Sequence, residues 1–191
     1  MSVFSVLVFL HVVGALALFA GIAMEGAGLA YLRRATTTAR MREWVGFSRL
    51  LGRIARPAVI TIFVTGIYLA VTRWGHQAWI GLGFLGLVAI GVLGSAVTRR
   101  RVGAIEKALP AGDGPIPSAL RGHLLDPVLR MSLYVRAALV LGIVFVMSVK
   151  PGTVGALVAM GVALALGVVL GRAGRSGDAR GLATGRFEAE S

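Results

Sequence analysis

Three side chains stand where chemistry inside a bilayer would need them: His11, Glu25 and Arg136 all fall in runs long and apolar enough to cross a membrane. Ionisable groups there are costly and by default face a protein interior. A neutral imidazole at His11 carries the lone pair that ligates haem iron or copper. Its other use is a hydrogen bond to a carbonyl of a neighbouring helix. A haem held between two helices calls for a second axial ligand, and the remaining histidines, His76 and His123, fall in loops on opposite sides of the membrane. Glu25 lies eight residues before Arg33, and Arg136 six residues after Arg130. That puts them about 12 Å and about 9 Å of helix from the same end. At comparable depth they can neutralise each other, offsetting a penalty of about 2.5–3.5 kcal/mol per charge near a helix centre. The pair reads as a proton or anion site open to the cytoplasm, as a structural ion pair, or as two side chains snorkelling separately to the interface.

Other reactive constellations are missing from the chain. It has no HExxH, GxGxxG, P-loop or nucleophile-elbow pattern, and its serines, histidines and aspartates are scattered. Cysteine is absent, which removes disulfides, thiolate metal sites and thiol catalysis. The six methionines form no Met-x-x-Met pair, so a copper path has no support. No catalytic residue and no metal site is expected. Tyr68, Thr61 and Thr65 read as polar groups that bridge helices.

The elements that must position these groups are marked by arginine. Arg33, Arg34, Arg40, Arg42, Arg49, Arg53 and Arg56 crowd the first gap between apolar runs, and only Arg73 occupies the second. Arg99, Arg100, Arg101, Lys107, Arg121 and Arg130 fill the third gap, Lys150 alone the fourth, and Arg172, Arg175, Arg180 and Arg186 the tail. Cationic loops resist translocation, so the alternation predicts an all-α, polytopic bundle of five transmembrane helices with its N-terminus outside and its C-terminus cytoplasmic. The predicted spans are residues 3–24, 57–72, 78–97, 131–149 and 154–170 within a bundle covering 1–171. A basic tail over 172–191, without apolar periodicity, is expected to be disordered. Met1 to Val6 carries no Lys or Arg, so the first run is expected to be a retained span and not a cleaved signal peptide.

Finer punctuation follows. The first helix is expected to continue to Leu32 or Arg34, with one of Thr36, Thr37 and Thr38 capping the next. Trp44, Phe47, Leu51 and Ile54 share one face of an amphipathic stretch over Ala39 to Arg56. That stretch either lies at the inner interface or runs on into span two through Pro57. Pro110 to Pro117 predicts an irregular loop, Ser118 to Leu125 a short helix, and Asp126-Pro127 a capped start for span four. Gly83, Gly86, Gly91 and Gly94 in span three, with Gly167 and Gly171 in span five, predict close helix packing.

Composition agrees, at 57% hydrophobic with a mean hydropathy of +0.83. A formal charge of +12 raises nucleic acid as a partner, but the basic residues sit beside spans and not on a soluble face. They are expected to set topology and attract anionic inner-leaflet lipids, at about 1 kcal/mol per residue near the surface.

The segment Leu10-His11-Val12-Val13-Gly14-Ala15-Leu16-Ala17-Leu18-Phe19-Ala20-Gly21 resembles the first span of a bacterial membrane superfamily. The layout from Trp79-Ile80-Gly81-Leu82 to Arg99-Arg100-Arg101 is similar as well. That group holds copper-resistance D-type proteins, haem-dependent protoporphyrinogen oxidase membrane proteins and an uncharacterised predicted integral membrane family. By resemblance, His11 occupies the position that ligates haem in the oxidase branch. That branch also has a Lys early and a His late in span three, where this chain has Gly81, Gly83 and Gly94. The uncharacterised branch is the better match. The expectation is a non-enzymatic accessory or scaffold protein of the bacterial cytoplasmic membrane, as a homo-oligomer or a subunit of a larger membrane complex. The alternative is a membrane redox protein with haem b or copper at His11. A transporter would need polar residues through the midplane or interrupted helices, and the sequence shows neither.

Overall fold

A computed structural model describes residues 2–117, 120, 122 and 126–187, the side chains of 33 and 174–187 excepted. Its helices are α1 (Val3–Arg33), α2 (Thr38–Leu69), α3 (Ala78–Leu93), α4 (Arg100–Ala108), α5 (Pro127–Val149) and α6 (Thr153–Phe187). A π-helical turn, Ala70–Trp74, extends α2, and another, Gly94–Arg99, joins α3 to α4 in one continuous rod. Five helices are long and apolar enough to cross a membrane: Val3–Leu32, Thr38–Trp74, Ala78–Ala108, Pro127–Val149 and Thr153–Ala173. Among the described residues there is no strand, only an isolated bridge between Thr37 and Pro115.

The open choice over Ala39 to Arg56 resolves to one helix, with Pro57 inside α2. Most of its amphipathic face meets protein. Trp44 and Leu51 are buried, Phe47 is half-buried, and Ile54 is exposed. At 1.5 Å per residue, α2 with its π turn is about 55 Å long, well beyond a hydrocarbon core of about 30 Å. The surplus forms a lobe at the arginine-rich end of the bundle, the inner lobe of the orientation expected from the sequence. There Leu29 and Leu32 of α1, Met41, Trp44 and Val45 of α2, and Val102 and Ile105 of α4 close one apolar cluster.

Two antiparallel hairpins, α1–α2 and α5–α6, are joined by α3, which packs against both α5 and α6. A carbon at Gly14 would meet the Ala58 carbonyl oxygen at 3.3 Å, so α1 and α2 approach closely there. Near the other end, Gly28 lies under the Trp44 indole. In the second hairpin a carbon at Gly167 would meet the Val135 Cα at 2.7 Å, and Gly171 faces Met131. A middle apolar layer includes Leu18, Ile22, Leu87, Ile90, Val135 and Leu139, and an outer one Trp79, Ile80, Val146 and Ala156. By contrast α2 touches α3 at few points, and a cleft opens between them.

Local chemistry sets the ends. Asp126 caps α5 by accepting from the Val128 N–H at 2.8 Å, with Pro127 in the first turn. Thr37 stands at the N-cap of α2 without a side-chain cap bond. Thr38 instead donates to the Gly112 carbonyl at 3.1 Å and accepts from the Gly114 N–H at 3.0 Å, fastening the irregular loop to the lobe. At the opposite end Lys150, in the left-handed region with φ 51°, lets α5 turn back into α6. Its ammonium sits 3.8 Å from the Trp74 ring centre, and Trp74 meets Trp79 edge-on. Helix α6 runs to Phe187, where the sequence predicts no regular structure after Gly171. Leu, Ala and Arg are good helix formers, and extending an existing helix avoids the cost of nucleating one. The short helix expected over Ser118 to Leu125, with His123, lies outside the described residues apart from Leu120 and Gly122.

The α5–α6 contact gives the first prediction. Gly167→Ala should cost about 1–3 kcal/mol of unfolding free energy in detergent, because backbone must move. Gly161→Ala, with nothing within 4 Å, should stay within about 0.5 kcal/mol. Equal losses at both positions would show that Gly167 is not at a tight crossing.

Candidate functional site

The polar centre of the bundle joins three elements. Arg136 on α5 reaches Glu25 on α1 through two parallel bonds, Nη1 to Oε2 at 2.9 Å and Nη2 to Oε1 at 2.5 Å. Thr98, on the π turn after α3, accepts from Arg136 Nη2 at 3.0 Å and donates to Glu25 Oε1 at 3.3 Å. The Arg136 Nε donates to the Ser132 carbonyl one turn back, at 3.2 Å. The Arg136 side chain is 6% exposed and that of Glu25 18%, so most of both charges is out of solvent. Such a fork is strong and directional because guanidinium and carboxylate match in shape. Gly94 lies beside it, where a carbon would stand in ordinary contact, 3.5 Å from Arg136 Nη1.

Sequence reasoning missed Thr98 and the Ser132 carbonyl. Thr98 precedes Arg99 to Arg101 and reads as the frayed edge of a basic loop. The π turn changes the register of the rod at that point, and no residue pattern announces it.

His11 is a separate site. Its Nδ1 lies 3.0 Å from the Thr65 hydroxyl, which itself donates to the Thr61 carbonyl at 2.5 Å. With the hydroxyl proton committed there, Nδ1 must be the donor. The ring seats over Gly66, where a carbon would meet His11 Cε1 at 3.3 Å and Phe84 at 3.4 Å. The imidazole thus fills the α1–α2 seam. A haem would need the ring's Nε2 to face an open volume with a second ligand across it. No cluster of three metal-ligating groups exists among the described residues. His76 lies at the outer turn on a shallow apolar hollow of about 560 Å³, and Tyr68 is exposed.

The larger cavity, about 720 Å³, is the cleft between α2 and the α3–α4 rod, floored by α1. Glu25 and Arg136 form part of its wall, and Arg49, Arg53, Arg56, Arg99 and Glu106 line its inner end. Arg49 pairs with Glu106, while Arg53, Arg56 and Arg99 have no ion-pair partner among the described residues. Of the glycines expected to pack helices, Gly83 faces Met147, and Gly86 faces Ile143 and Met160. Gly167 and Gly171 face α5. All four are covered within the chain, so they offer little for association between chains. Gly91 faces open space in the cleft.

Compared with protein-family models, curated proteins and solved structures, the chain matches none.

The polar centre generates the second prediction. Glu25→Ala should cost about 3–5 kcal/mol, because it leaves the buried Arg136 uncompensated. Adding Arg136→Leu to Glu25→Ala should restore most of that loss, read as unfolding free energy in detergent. A double variant as weak as the single one would mean that the charge is not what destabilises it.

Proposed function

We propose that the chain is a multi-pass protein of the bacterial cytoplasmic membrane, with its N-terminus outside and C-terminus within. It acts without catalysing a reaction, as an accessory or scaffold component of a membrane assembly. One observation carries this reading: the ionisable groups among the apolar spans are engaged in holding helices together. Glu25, Arg136 and Thr98 bind one another across three elements, and His11 binds Thr65. A catalytic carboxylate would instead present its oxygens to a substrate space. The arginine-rich loops support the orientation, because they collect at the inner lobe while the opposite turns carry few charges.

Reporter fusions after residue 75 and after residue 113 should give opposite signals, the second cytoplasmic. The same side for both would overturn the five-span arrangement. Protein purified from haem-replete cells should show no stoichiometric Soret band. A band lost on His11→Ala would replace the scaffold reading with a haem-binding one. Native-gel migration of gently solubilised membranes should place the chain in a species heavier than its monomer with detergent, and a monomer alone would count against a scaffold.

A further inference from the structure

The cleft between α2 and the α3–α4 rod has the proportions of an amphiphile. Along the rod it runs from Ile90 to Glu106, about 24 Å at 1.5 Å per residue. One end is apolar, walled by Leu18 and Ile22 of α1, Val59 and Ile60 of α2, and Ile90 of α3. The other end is basic. Five arginines line the cleft against two glutamates, Glu25 and Glu106, and each glutamate is already paired with an arginine. That leaves Arg53 and Arg56 on one wall, one helical turn apart, and Arg99 on the other. All three are exposed. We propose that the cleft binds one anionic phospholipid from the leaflet beside the arginine-rich loops. Its phosphate sits among Arg53, Arg56 and Arg99, and an acyl chain lies along the apolar end.

The chemistry selects this occupant. Guanidinium forks match phosphate oxygens, and a cluster of three gives more than the diffuse attraction of a basic loop for an anionic surface. A free anion would use only the basic end of the cleft and leave the apolar end without a reason. The flank is open to lipid because α2 hardly touches α3, and Ile60 on that flank is 62% exposed. Width comes from glycine. Gly21 of α1, Gly52 of α2, Gly91 of α3 and Gly103 of α4 all line the cleft, and each has nothing within 4 Å of where a side chain would begin. Arg136 is not available to the phosphate, since Glu25 and Thr98 occupy its terminal nitrogens.

The proposal goes beyond the scaffold reading and needs only the five-helix membrane arrangement. It is tested on delipidated full-length protein in a neutral detergent, with phosphatidylglycerol, phosphatidylcholine and inorganic phosphate as separate probes. Binding is read by native mass spectrometry and by thermal shift. Phosphatidylglycerol should bind at one per chain and raise Tm, phosphatidylcholine should do neither, and millimolar inorganic phosphate should not displace it. Replacing Arg53, Arg56 and Arg99 by Gln together should weaken phosphatidylglycerol about tenfold or more. Replacing the exposed Arg40, Arg100 and Arg172 removes equal charge away from the cleft and should leave binding within about twofold. A carbon at Gly91 meets nothing within 4 Å, so Gly91→Leu enters the cleft without displacing backbone, and the chain should fold and bind the lipid weakly. Three results overturn the proposal: equal binding of the two lipids, equal weakening by both arginine triples, or displacement by inorganic phosphate, which would mark a site for soluble anions.

Discussion

A charge among apolar helices has to be answered nearby, and the bundle is arranged around one such answer. The Arg136–Glu25 fork joins the first hairpin to the second, and Thr98 brings the rod between them into the same knot. Apolar contacts alone fix helix neighbours weakly in lipid, because the surrounding chains are as apolar as the side chains. A buried, bidentate pair has one geometry that satisfies it, so it specifies register where leucines and valines would tolerate several. The middle apolar layer lies on one side of the pair and the inner lobe on the other, and both are built from the elements the pair connects.

How much of this was legible in the sequence depends on which interaction leaves a trace. Hydropathy runs broken by Arg clusters and by Lys150-Pro151-Gly152 mark the helices, because length and polarity are local properties. The depth of Glu25 and Arg136 is also legible, since counting residues from a helix end gives height along it. Rotation about the axis is harder. Thr98 joins the pair from within a π turn, and Thr38 holds the loop by bonds, neither of which any periodicity reveals. The face of Trp44 and Leu51 reads as an interfacial helix for the same reason that it forms a lobe: both arrangements bury one apolar stripe. Choosing between them requires knowing that α1 and α4 also overrun the bilayer. The glycines show a similar ambiguity. A small residue signals close approach without naming the partner, which proves to be α5 or α6 for four of them.

The inner lobe and the cleft share their walls. Helix α2 contributes Trp44 and Leu51 to buried contacts, and a few residues further on contributes Arg53 and Arg56 to an open one. The change from closed to open coincides with glycines facing space and with the divergence of α2 from the rod. Hydrophobic packing therefore sets how far apart the arginines stand, and their mutual repulsion is offset only in part, by Glu106 on Arg49. The lobe positions a concentration of positive charge in which Arg53, Arg56 and Arg99 have no ion-pair partner among the described residues.

The opposite end has a different consequence. Residues 75–77 and 150–152 are the two turns there, and Lys150 resting on the Trp74 ring draws them together. Both are short, Trp74 and Trp79 flank the first of them, and the shallow apolar hollow at His76 opens beside it. The bundle therefore carries an apolar recess at one end and a concentration of guanidinium groups at the other, two surfaces of opposite chemical character.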